Sequence, residues 1–261
     1  MAKNRNSGVT RESNRPSFER VEEQPKEEER VDPERERRLN EIDSAETFKD
    51  ISGILEREYD IKAKRSMSKY GMDALKTYTR AVEDMMNEFP ELKGNISTIG
   101  TSIRGDAYAG MRPDGTFYLN HSVMSDLQSA KAAYERDLQR KFHPQGTTVG
   151  NIITHELGHA LEAIIVKKTN SGDFARAFTW NNHLVADKIV DKALDRVVPG
   201  WRSDRSNAVN AAKAIVDISR YASANRSETL AEAVSDYMAN KENAKPLSIE
   251  IVRETKRLLR S

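Results

Sequence analysis

Residues 147–168 read TTVGNIITHELGHALEAIIVKK, and the meaning of the chain turns on His155-Glu156-Leu157-Gly158-His159 lying inside what reads as one helix. Positions four apart in a helix sit one above the other, so His155 and His159 can offer ring nitrogens to a single cation, with Glu156 about 100° round the axis. Two neutral imidazoles holding Zn2+, beside a carboxylate that takes a proton from a metal-activated water, are the working parts of a zinc hydrolase. Ile153, Leu157, Ala160, Leu161 and Ile164 fall opposite the histidines, so one face is expected to pack and the other to coordinate. Thr147 or Thr148 can cap the start, Lys167 and Lys168 suit the end, and Gly158 leaves room for a close neighbour.

A catalytic zinc takes three protein ligands and keeps one position open, so a third ligand is needed downstream. The extended HExxHxxGxxH pattern is absent, because Glu162 and Ile165 occupy its glycine and histidine positions. The next glutamate is Glu228, which opens ETLAEAVSDY over 228–237. Glu228 and Glu232 are one helical turn apart, so the first can bind metal while the second accepts a histidine N–H from behind it. The same stretch also reads as a solvated amphipathic helix, with Leu230, Ala231, Val234, Tyr237 and Met238 inward and Glu228, Glu232, Ser235 and Asp236 outward. His183, Asp173, Asp187 and Asp191 compete for the third position. His143 and His121 read as structural or exposed.

These residues resemble the catalytic domain of anthrax lethal factor and its relatives, a zincin family whose third ligand is the first glutamate of an E-x-x-A-E-A run. Residues 142–237 carry the resemblance. It implies Glu228 as ligand, Glu232 as the acid behind the site, and Tyr221, seven residues before Glu228, as the hydroxyl that faces the reacting carbonyl. The interval between His159 and Glu228 is longer than the resemblance leads one to expect and holds two further helical stretches, 181–196 and 206–220. The toxin's delivery modules have no counterpart. Domains of this kind are similar to those of phage head-associated and polymorphic-toxin proteins, which implies a phage structural or toxin-delivery partner.

The remaining sequence sets the frame. Of 261 residues 32% are charged and mean hydropathy is −0.73, polar for a domain of that length, and the excess sits mostly in residues 1–44. Their scattered apolar side chains among runs such as KEEERVDPERERR predict a disordered or loosely helical tail, with the peptidase domain over 45–261. A net charge of +1 gives no field that favours nucleic acid or a membrane surface. Without cysteine, zinc must be held by histidine and carboxylate. The first ten residues lack the apolar run of a signal peptide, and a cytoplasmic or virion-associated protein is expected.

Helices are predicted from Phe48 onward, over 72–88, over 125–141 and over 246–259, the last opened by Pro246. A strand is predicted over 96–103, and 107–109 with 116–119 form a hairpin candidate whose edge can pair with an extended peptide. The expectation is therefore an α+β, mainly helical, zincin-like metallopeptidase domain with a small sheet, hydrolysing peptide bonds of a protein or peptide substrate. Two other classes fit the same residues. One is a non-catalytic phage head or interaction protein with a vestigial or structural zinc site, and the other a zinc hydrolase of non-peptide amides or esters.

Overall fold

A computed structural model describes residues 32–102, 105, 107–112, 115–169 and 184–261, and one compact unit runs from Pro33 to Ser261. After α1 (Pro33–Ser44), apolar spacing gives helices where periodicity predicts them, α2 (Phe48–Tyr59) and α3 (Met72–Glu88). Thr47 and Asp50 close a reciprocal capping box at the start of α2, since each side chain accepts the other's backbone N–H. The chain then forms a four-stranded sheet in the order β1-β2-β4-β3, from Lys62–Ala63, Thr98–Ser102, Ala109–Met111 and Thr116–Asn120. β2 pairs parallel with both β1 and β4, and the expected hairpin is the antiparallel pair β3–β4, with β3 at the sheet's edge. Ile99, Phe117 and Leu119 share an apolar cavity lining with residues of α2, α3 and Ile153, so the sheet's inner face is closed by helices.

A short α4 (His121–Met124) and α5 (Leu127–Gln139), the latter capped by Asp126, replace the single helix expected over 125–141. The cap explains the break: Asp126 is in extended conformation and its carboxylate accepts the Ser129 N–H. The helix that carries His155, Glu156 and His159 is α6 (Asn151–Thr169), followed by α7 (Leu184–Val197), α8 (Arg205–Ile218), α9 (Arg226–Asn240) and α10 (Pro246–Arg260). Proline stands at the first turn of α10 as predicted. Among the described residues no helix is long and apolar enough to cross a membrane.

Two expectations are corrected. Residues 33–44, assigned to the tail, form α1 within the compact unit, because its charges meet partners across the fold instead of water, while residues 1–31 of that tail lie outside the described residues. Arg38 forks onto both oxygens of fully buried Glu83 at 3.1 and 3.2 Å, Tyr59 donates to the same carboxylate, Arg35 meets Asp84 at 2.7 Å, and Ile42 is wholly buried. Second, α6 does not divide into a packing face and an open face. It is buried on all sides from Ile152 to Val166 apart from partial exposure at Glu156 and His159, because α9, α3, α10 and β3 surround it. Neither Thr147 nor Thr148 caps it directly: Thr147 donates to Pro144 O, and a turn in which Asn151 Oδ1 accepts the Thr148 N–H leads into the first helical residue.

Candidate metal centre

The site forms where α6 and the first turn of α9 touch. At Gly158 a Cβ would lie 2.9 Å from Ala231 Cα, so the two helix backbones meet at a distance only glycine allows. That contact carries the start of α9 over the histidines. Asn225 caps α9 by accepting the Glu228 N–H at 3.0 Å, and this fixes Glu228 in the first turn, facing α6.

There Glu228 Oε2 lies 3.1 Å from His155 Nε2 and 3.4 Å from His159 Nε2. His155 and Glu228 are buried and His159 half-buried, and one ligand atom from each lies within 4.8 Å of the others. Glu228 Oε2 has no hydrogen-bond partner although it is buried. A buried carboxylate oxygen without a donor, faced by two ring nitrogens that are lone-pair donors when neutral, could hold a cation among them. In its place a proton is drawn in: burial opposes charge on His155, but Glu228 and Glu232 outweigh it and raise His155 well above the usual imidazole range. The reverse holds for Glu228, where burial alone would raise the carboxyl and the two histidines hold it far below the carboxylate range. A metal would displace that proton. The donor set, two imidazoles and one carboxylate, fits Zn2+.

Behind the ligands, Glu232 Oε1 lies 2.7 Å from His155 Nδ1 and 3.3 Å from His143 Nδ1. The carboxylate therefore stands between two rings, and His143, whose ring stacks on Tyr134 at 4.7 Å between centroids, is the buried wall behind it. Of the two readings of His143, structural and exposed, the first holds, and the ring stands directly behind the site. The preceding Phe142 was not singled out by the sequence and is equally involved. Arg220 N–H donates to Lys141 O at 2.8 Å and Tyr221 N–H to Phe142 O at 3.1 Å, which brings Tyr221 beside the site. Its ring lies between Phe142, with centroids 4.8 Å apart, and His155, at 5.6 Å, both near-parallel. Burial, then the Glu228 carboxylate, raises the Tyr221 hydroxyl above its ordinary range, so it stays a proton-bearing donor.

Glu156 is half-buried and is not one of the clustered ligands. Burial, aided by Glu228 and opposed by the two histidines, raises its carboxyl. The competing ligands fall away where they are described. Asp191 is paired with Arg226 at 3.1 Å and Arg202 at 3.2 Å, His121 packs edge-on against Tyr70, and Asp187 is not in the cluster. Asp173 and His183 lie outside the described residues. The polar face of α9 is not solvated, since Glu228, Glu232, Ser235 and Asp236 are all buried. Comparison with protein-family models, curated proteins and solved structures returned no match.

Proposed function

We propose that this chain is a zinc-dependent metallopeptidase, with Zn2+ held by His155, His159 and Glu228. The observation that carries the reading is the orphaned, buried Glu228 Oε2 between two imidazole nitrogens, with a separate carboxylate, Glu156, one residue along the helix. Bound zinc supplies Lewis-acid polarisation of the scissile carbonyl and lowers the pKa of the attacking water. Glu156 takes the water's proton as the oxygen attacks and passes it to the leaving amine. Tyr221 donates its hydroxyl to the oxygen on which charge develops, and the flanking Phe142 and His155 rings hold the phenol still. Glu232 holds His155 from behind.

The resemblance of these motifs to the lethal-factor peptidases supports a zincin-like identity and a protein or peptide as substrate, and a phage- or toxin-associated setting is proposed on the same basis. The test is metal analysis of the purified protein together with digestion of a peptide library by wild type and Glu156→Gln. One zinc per chain in both, with cleavage by wild type alone, is expected. Zinc without cleavage by wild type would make the centre structural, and cleavage confined to esters or non-peptide amides would make the chain a different hydrolase.

A further inference from the structure

His155 is backed at Nδ1 by a carboxylate directly, but among the described residues none stands behind Nδ1 of His159. Its Nδ1 instead lies 3.1 Å from Ser227 Oγ, and that hydroxyl donates to Glu162 Oε2. Glu162 stands three residues after His159 on α6, on the same side of the helix, and Ser227 is the residue before Glu228 on α9. Ser227 is not needed to cap α9, because Asn225 does that. We propose that Ser227 and Glu162 are positioning residues that fix the tautomer and orientation of His159 for the metal, an inference that rests on the zinc reading of the site.

The wiring follows from what each atom can do. A carboxylate oxygen only accepts, so the Ser227 proton points at Glu162 and the hydroxyl's lone pairs are left for His159. Nδ1 must then carry hydrogen, which strips Nε2 and leaves its lone pair facing Glu228 Oε2 at 3.4 Å. Without Ser227 either nitrogen can hold the proton, and the ring, the more exposed of the two at 17% against 10%, is free to turn. The same relay ties the α9 residue next to the third ligand onto α6, so one contact sets both His159 and the approach of Glu228. Glu162, which only breaks the extended zincin pattern when read as sequence, supplies the acceptor.

The experiment compares wild type, Ser227→Ala, Ser227→Thr and Glu162→Ala. Zinc affinity is read by competition with a chromophoric chelator. His159 tautomer is read in the metal-free protein by long-range proton–nitrogen NMR, at a pH where the His159 ring is neutral. Ser227→Ala should weaken zinc binding about 10- to 100-fold and turn His159 from one Nδ1–H species into a mixture. Ser227→Thr, which keeps the hydroxyl, should stay near wild type in both. Glu162→Ala lets the serine proton swing toward Nδ1 and should also mix the tautomers. Wild-type zinc affinity in Ser227→Ala, or a single unchanged tautomer in both alanine variants, would overturn the relay. Equal loss in Ser227→Thr would mark the position as packing. Should wild type itself bind no zinc, the metallopeptidase reading fails, while the NMR comparison still decides the relay.

Discussion

Tyr221 is a phenol whose ring is held between Phe142 and His155, so its hydroxyl can be removed without moving the ring. Tyr221→Phe should lower kcat by about 100- to 1,000-fold, the usual cost of one lost oxyanion donor, with zinc content and thermal midpoint near wild type. A variant with unchanged kcat would return the residue to packing. Glu228→Ala should lose most of the zinc, and metal analysis of the dialysed variant checks this. At this scale the sequence was readable wherever residues sit one helical turn apart. His155, His159, Glu228 and Glu232 converge as helical spacing and the family resemblance together imply. His143, Phe142, Ser227 and Glu162 were not legible as neighbours of the site, because their partners lie between 65 and 89 residues away or are reached through backbone hydrogen bonds, and spacing carries no record of either.

The contact between α6 and α9 is the element-scale feature on which the centre depends. Replacing glycine by alanine inside a helix ordinarily stabilises it by about 0.5–1 kcal/mol. At Gly158 the added methyl would meet the Ala231 backbone at 2.9 Å, and backbone cannot step aside as a side chain can. Gly158→Ala should therefore destabilise by about 1–3 kcal/mol and also weaken zinc binding, as α9 is pushed off the histidines. Denaturant melts and chelator competition measure the two effects, and a stabilised variant would show that the helices have slack. Periodicity located α3 and α10 well, since each has a clear apolar period. It misjudged α1 and the surroundings of α6. In α1 the charges find Glu83 and Asp84 across the fold, and around α6 apolar neighbours on every side are a tertiary fact.

For the whole molecule, two predictions concern what holds its ends. A chain starting at Ala45 should be less stable than one starting at Asp32 by about 3–5 kcal/mol, because it leaves Glu83 buried without Arg38. Equal melting of the two would show that α1 is dispensable. At the other end, Glu254 on α10 is buried, which alone would raise its carboxyl, but Arg257, Lys192 and Arg196 outweigh burial and bring it from 4.5 down to about 2. A depressed carboxylate stabilises the fold fully above its unfolded pKa and loses that contribution as the pH falls through the folded one. The gap in thermal midpoint between wild type and Glu254→Gln should be widest at neutral pH and close between pH 4.5 and 2. A gap that persists at the acid end would mean that shape, not charge, makes the difference. Finally, the two backbone hydrogen bonds that join 220–221 to 141–142 bear on how such a chain can change over evolutionary time. They tie the phenol to the segment leading into the metal helix, so its position is not handed down through α7 and α8. The turn joining those two helices can then lengthen or be rewritten at small entropic penalty, about 0.6 kcal/mol for each doubling of a flexible loop, while the reactive groups keep their places. Diversity among descendants of this chain should accumulate in that excursion, a wardrobe changed over an unaltered frame.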